Sequence, residues 1–472
     1  MKKIFSFNNI KTLLAVLLLC MGSAACKKLI EIPNPVDRLT PKDVFKDSAG
    51  AVLAIEGVYL NFGYYELSQG AIFNGVMTMQ TGLLSDELLT SSADNTFVDF
   101  ANNTLRSDNN AVASVWSSAY TNLYVVNACI EGINNSTGIS EKNKQQFIGE
   151  LKVVRAFYYF NLINVFGPVP LIKGTDFRVN ATIPRTPVNE VYQQIVADLT
   201  EARQLLQPAY PTTGRERPNL HTATALLAKV YLYQQNWSGA ETMAKEVLGA
   251  GIYNLETDLN NVFVAGSKEA IWQLSTIKSQ LYQTVEANDV IPMFPFMIPK
   301  YYLSTHLLDA FESKDQRKTK WTAVSTMDID GVLTDFYYPF KYKNNTAAAT
   351  PREDYMVFRL GEQYLILAEA LARQGKLGEA QPYLTEVRVR SGLDEITPAT
   401  QPAFLNAIMK ERRTELFCEW SNRWFDLKRN GTVNEVIGAI KPEWQSTDAL
   451  YPIPLGERRL NTFLEQNPGY TE

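Results

Sequence analysis

The chain has 472 residues, with 45 Lys and Arg against 50 Asp and Glu and a net charge of −5, a balance that excludes a polyanion such as nucleic acid as its partner. Hydrophobic residues make up 46% and charged residues 20%, which excludes a disordered chain and predicts a large core. Two histidines, His221 and His306, and four cysteines without metal-ligand spacing argue against a metal site or a His-based triad, and no cofactor is expected.

The chain opens with Lys2, Lys3 and Lys11 ahead of Leu13-Leu14-Ala15-Val16-Leu17-Leu18-Leu19. This apolar run is about half the roughly 20 residues that a spanning helix needs. A basic start, a short apolar core and small residues before a cut describe a secretory signal peptide over 1–25. Ala24 and Ala25 fit a peptidase pocket, and Cys26 then becomes the first mature residue, whose thiol can take a diacylglycerol. Leu19 is too bulky for the same reading at Cys20, and Ser23 stands where lipoprotein signals usually carry Leu. The alternative is a secreted, soluble chain. No later stretch is apolar enough to cross a bilayer.

Helical spacing dominates the chain beyond this leader. Ser48 can cap a helix with the stripe Val52, Ile55, Tyr59 and Phe62. Trp116, Ala119, Leu123, Val126 and Ile130 keep the same period, with Cys129 inside it as a plain buried residue, like Cys418. Thr186 and Pro187 suit a helix start, followed by Val191, Ile195, Leu199, Ala202 and Leu206 on one face. Gly249 or Gly251 ends a later helix.

Two stretches repeat each other. "LLAKVYLYQQNWSGAETMAKEVL" from Leu226 aligns with "LILAEALARQGKLGEAQPYLTEV" from Leu365, pairing Ala228 with Ala368, Gln234 with Gln374 and Ala240 with Ala380. Each reads as helix, polar turn, helix, in the manner of a tetratricopeptide hairpin that needs neighbours to cover its open face. Between and before them lie irregular insertions. Residues 63–112 are rich in Gly, Ser, Asn and Asp; residues 255–355 mix Pro with aromatics, and Ala270–Leu274 reads as a short strand.

At "ELKVVRAFYYFNLINVFGPVPLI" (150–172) the sequence resembles the SusD/RagB family of Bacteroidetes. "EIPNPVDRLTPKDVF", "PRTPVNEVYQQIVADLTEA", "HTATALLAKVYLYQQNWSGA", "YLILAEALARQGKLGEAQPYLTEVRVRSG", "ERRTELFCEWSNRWFDLKRNG", and "YPIP" with "EQNPGY" stand in family order, so the resemblance covers nearly the whole chain. It implies a mainly α fold: tetratricopeptide-like hairpins in a right-handed superhelical scaffold, with loop-rich insertions and a few short strands. Residues 26–245 would form an N-terminal helical region and 246–472 a C-terminal region with ligand-facing loops, packed as one unit. It further implies a non-enzymatic lipoprotein, anchored in the outer membrane and facing outward. Such a protein captures an oligosaccharide, or a peptide in RagB-like members, for a SusC-like TonB-dependent transporter. Lys27 and Lys28 depart from the acidic residues that often come after the lipid cysteine of surface lipoproteins.

Flat aromatic rings match the C–H face of a sugar, so loop aromatics are the ligand candidates: Trp321, Tyr282, Phe294, Phe296, Tyr301, Tyr337 and Phe97. Trp321 stands in the polar run "KDQRKTKWTAVS" and has no periodic apolar neighbours. Glu411, Glu415 and Glu419 fall on one helix face and point the same way, which suits ion pairs with nearby arginines and not two acids flanking a glycosidic bond. Arg155, Arg388 and Arg390 read as interior links. A glycosidase would have to draw acids from separate loops, such as Asp86 with Asp309 or Asp330, and Asp86 and Glu87 could also accept from ligand hydroxyls.

Overall fold

The computed structural model describes residues 40–63, 72–278, 282–346 and 349–471; the expected leader and Cys26 lie outside them. The fold is mainly helical. Helices of eight residues or more are α1 (Ser48–Leu60), α2 (Val76–Leu84), α3 (Asn95–Asn102), α4 (Asn110–Asn135), α5 (Glu141–Phe166), α6 (Val188–Leu205), α7 (Leu220–Tyr233), α8 (Trp237–Leu248), α9 (Leu360–Arg373), α10 (Leu377–Arg390), α11 (Gln401–Glu415) and α12 (Asn422–Arg429). None of the described helices is long and apolar enough to cross a membrane.

Two helix starts differ from the sequence reading, each for a local reason. Asp47 caps α1, accepting from the Gly50 N–H at 2.9 Å, while the Ser48 hydroxyl accepts from Asn143 of α5 at 2.8 Å. The Thr186 hydroxyl accepts from the Leu171 N–H, so α6 begins without a side-chain cap behind Pro187.

Helices α4 to α11 form a continuous array in which each packs on the one before it. The two repeats are the hairpins α7–α8 and α9–α10, and α8 lies directly against α9. Thus copies separated by residues 249–359 in sequence are neighbours in space. Ala228, Ala240, Ala368 and Ala380 are fully buried, as close helix crossings require. Both hairpins turn through a left-handed residue, Gln235 at φ +59° and Gly375 at φ +78°.

Among the described residues, the insertions between helices carry six strands: β1 (Leu88–Thr90), β2 (Ala270–Leu274), β3 (Tyr301–Leu303), β4 (Thr322–Ile329), β5 (Val332–Pro339) and β6 (Tyr355–Arg359). They pair antiparallel as β1–β3, β2–β6 and β4–β5. Asp330 and Gly331, at φ +53° and +85°, make the tight turn between β4 and β5, a sequence pair that favours such hairpins.

Buried ion pairs lock the insertions to the helices. Arg155 makes a bidentate bridge to Asp198 at 2.9 and 2.7 Å and donates to Asn127 at 2.9 Å, joining α5 to α6 and α4. Arg317 meets Asp315, Glu411 and Glu415; Arg359 meets Glu415 and Glu419; Arg388 meets Glu411, and Arg390 meets Glu269 and Glu415. The three glutamates are therefore structural, but only Glu411 and Glu415 share a helix face: α11 ends at Glu415, and Glu419 lies in the irregular turn beyond it. Burial pushes Glu415 up, but the charges of Arg390, Arg359 and Arg317 outweigh it and hold the carboxyl well below its usual range. Cys129 and Cys418 are buried free thiols.

Candidate functional site

The irregular segment between Val290 and β3 carries two neighbouring exposed phenyl rings. Phe294-Pro295-Phe296-Met297 is a tight turn, closed by the Met297 N–H donating to the Phe294 carbonyl at 3.1 Å. The two phenyl rings lie parallel, with centroids 5.5 Å apart and planes 7° from each other. They are 48% and 63% exposed, and Met293 and Met297 flank them at 79% and 43%.

The loop beneath is held from several directions. The buried Ser325 hydroxyl of β4 lies 2.8 Å from the Pro295 carbonyl and 2.6 Å from that of Met297. At the end of β1 the Thr90 hydroxyl donates to the Lys300 carbonyl at 2.9 Å, and just beyond it the Ser91 hydroxyl donates to the Pro299 carbonyl at 3.0 Å. Lys300 stands 4.3 Å above the Phe97 ring and 5.1 Å from Tyr301, and these two rings meet edge to face at 6.1 Å. The loop is thus pinned by hydrogen bonds on both flanks. Rigid rings lose little freedom when a ligand binds, which favours affinity.

The seven aromatics expected at a ligand face do not converge. Phe294 and Phe296 form the platform. Tyr301 is 3% exposed and belongs to its foundation, with partly buried Phe97 beside it; Tyr337 is partly buried on β5 against the core. Tyr282 is 59% exposed with φ +55°, next to a small cleft bordered by Asn74, Thr276, Gln283 and Thr284.

Trp321 is a correction. It is fully buried, its indole N–H donates to the Leu259 carbonyl at 3.0 Å, and Lys341, Arg359 and Arg390 face its ring. Two of its polar sequence neighbours are drawn inward with it: Asp315 and Arg317 are buried with the glutamates that Arg317 pairs with, while Lys314, Gln316, Thr319 and Lys320 stay exposed. Tyr301 is corrected in the same sense, because pairing of β3 with β1 turns it inward. Sequence reasoning missed Met293, Met297 and Ser325; the proline-broken apolar run Ile291–Ile298 was the available signal for the first two.

Asp86 is buried and held by Arg413 at 2.5 Å and Arg423 at 2.7 Å. Burial raises its carboxyl, but hydrogen bonding and charge from Arg423, with the Arg413 charge, bring it below its usual value. Glu87 beside it has no such clamp, and burial with the Asp86 charge pushes it to about 7. Both residues are almost wholly buried. Among the described residues no cluster of His, Cys, Asp and Glu could hold a metal ion.

Comparison with known proteins places this arrangement among relatives. A family model described as starch-binding and associating with the outer membrane matches residues 68–232, and a SusD family model matches residues 315–470. The SusD-like protein P2 of Formosa agariphila is 28% identical, over 97% of this chain and 99% of that protein. The starch-binding protein SusD of Bacteroides thetaiotaomicron is 24% identical, over 72% of this chain and 75% of its own length. Among solved structures, a SusD superfamily protein from Bacteroides vulgatus superposes with a TM-score of 0.80 at 19% identity, covering 90% of this chain and all of the other. A laminarin-binding SusD-like protein gives a TM-score of 0.75 at 26% identity, again over 90% of this chain and all of the other.

Proposed function

This chain belongs to the SusD/RagB family, and we propose that it captures oligosaccharides at the outer membrane and passes them, uncleaved, to a SusC-like TonB-dependent transporter. The observation that carries this reading is the exposed, parallel pair Phe294 and Phe296 on a loop pinned from below. A sugar laid on either ring covers its C–H face without needing any side chain to reorganise. The names of relatives that bind starch and laminarin support a glycan as cargo.

Hydrolysis is disfavoured because Asp86, the acid common to the possible catalytic pairs, already serves two guanidinium groups. Anchoring would come from acylation of Cys26, and the mass of the mature amino terminus tests it. Met293 and Met297 beside the rings give one reason to keep a second cargo class, an apolar peptide, since flexible thioethers adapt to irregular apolar side chains.

Calorimetric titration with a panel of laminarin, starch and other oligosaccharides, together with short peptides, tests the cargo. Phe294→Ala with Phe296→Ala should weaken glycan binding at least about tenfold, near 1.4 kcal/mol, with an unchanged fold. Binding of peptides alone selects the second class. Unaltered glycan affinity in the double variant removes the platform from the site, and catalytic release of product ends the binding-only reading. Co-purification with the product of a neighbouring transporter gene tests the partner.

A further inference from the structure

A cleft of about 510 Å³ lies between α11, α12 and the short helix Val433–Gly438. Four guanidinium groups border it: Arg373 at the end of α9, Arg412 and Arg413 on α11, and Arg423 on α12. Glu87 and Asp426 border it as well, and Leu405, Met409 and Leu427 give it apolar walls. None of the described residues around it is aromatic, so the cleft offers no flat ring to a sugar face.

The ion pairs here leave part of the polar surface unused. Arg412 spends Nε and Nη2 on Asp426, at 2.7 and 3.2 Å. Its Nη1 has no hydrogen-bond partner among the described residues, although Arg412 is only 1% exposed. Arg413 donates through Nη2 to Asp86 at 2.5 Å and to the His306 carbonyl at 2.9 Å, and its buried Nε has no partner either. On the acceptor side, Glu87 takes the Cys418 N–H on Oε2 at 3.3 Å, and its buried Oε1 accepts from no described residue. A buried donor without an acceptor is costly, and a charged one more so, which favours an occupant that supplies oxygen atoms.

The charges around the cleft select the sign of that occupant. Arg429 stands behind Asp426, making five guanidinium groups, and the carboxylates of Asp86, Glu369 and Asp426 answer them. Glu362 is already paired with Lys229 at 2.8 Å. Glu435 is exposed on the rim, and burial with the Asp86 charge pushes Glu87 to about 7. Near pH 7 the balance is therefore positive even with Glu435 counted.

We propose that this cleft binds a small hydroxylated carboxylate, of which a uronic acid is the type. The carboxylate accepts from Arg412 Nη1 and Arg413 Nε, as guanidinium groups commonly arrange for such anions, and a hydroxyl of the same molecule donates to Glu87 Oε1. A neutral sugar lacks the charge, and a simple aliphatic acid lacks the hydroxyl. No residue of the Phe294 and Phe296 platform borders the cleft, so this site does not depend on the cargo reading.

Calorimetric titration of the purified protein at pH 7 with D-glucuronate, D-glucose and propionate tests it. Glucuronate should bind at least about tenfold more tightly than either of the others, because each leaves a buried group unpaired. Two variants locate the binding without removing Arg412, on which Asp426 depends. Asn406 is an exposed residue of the rim, and Asn406→Trp should fill the cleft and weaken glucuronate at least about tenfold. Arg413→Lys keeps a cation for Asp86 but lacks Nε, and should weaken it at least about fivefold. Melting temperatures establish that both variants fold, and the paired Phe294→Ala and Phe296→Ala change should leave glucuronate affinity as it was. No binding of glucuronate, or equal binding of glucose or propionate, overturns the proposal. Affinity that survives either Asn406→Trp or Arg413→Lys overturns it too, because the acid then sits elsewhere.

Discussion

Gln235 and Gly375 close equivalent turns of the two repeated hairpins with the same left-handed backbone, at φ +59° and +78°. A side chain in that region crowds its own carbonyl, at a cost of about 1–2 kcal/mol that glycine escapes. Glycine returns part of this through the greater freedom of its unfolded chain.

Gln235→Gly should therefore stabilise the protein by about 0.5–1 kcal/mol. Gly375→Ala should destabilise it by about 1 kcal/mol. Space is not the issue at Gly375, since a Cβ there meets nothing within 4 Å. Urea midpoints at constant slope measure both.

Trp321→Ala should cost about 3–5 kcal/mol of stability, as expected for a large core side chain. Glycan affinity of the fraction that remains folded should not change. Thermal denaturation and calorimetric titration of the same preparation separate the two effects, and a loss of affinity without a loss of stability would return Trp321 to the ligand site.

Arg317→Met should destabilise by about 3–5 kcal/mol, because it leaves Asp315, Glu411 and Glu415 buried without that guanidinium. Replacing a surface pair such as Arg106 and Asp108 should change stability by less than about 1 kcal/mol. Chemical denaturation of the two variants compares a core pair with a screened one.

Glu286 should give the fold a pH dependence. Its carboxyl is buried, accepts from the Tyr355 hydroxyl at 2.8 Å, and is pushed by burial from 4.5 to about 8. The folded state therefore holds a proton that the unfolded chain releases. The resulting stabilisation is complete below about pH 4.5 and is lost as pH rises through about 8. Glu286→Gln keeps an acceptor for Tyr355 and removes the titration. Its melting temperature should exceed that of the parent at pH 8.5, with the gap shrinking toward pH 5.

The scaffold was legible in sequence because its signals are periodic and local. The two hairpins appear as aligned alanines and a polar turn, and Ala270–Leu274 forms the expected strand. Helix geometry anticipated the structural role of Glu411 and Glu415, whereas Glu419 reaches Lys341 and Arg359 from the turn beyond the helix. The ligand face was legible only in part. Phe294 and Phe296 are exposed because their loop packs on β4 through Ser325, a contact made across a long stretch of chain. Trp321 is buried because charged neighbours pair with glutamates far along the sequence. Hydropathy in a window records neither event, so exposed and buried loop aromatics look alike there.

The contact of α8 with α9 across residues 249–359 bears on how the polypeptide matures. When the first repeat emerges, the flank that α9 will cover has no mate until the whole intervening segment has followed it. During that interval a greasy helical surface stands open to its surroundings. Holdase assistance should be needed there, before the second repeat closes over the first.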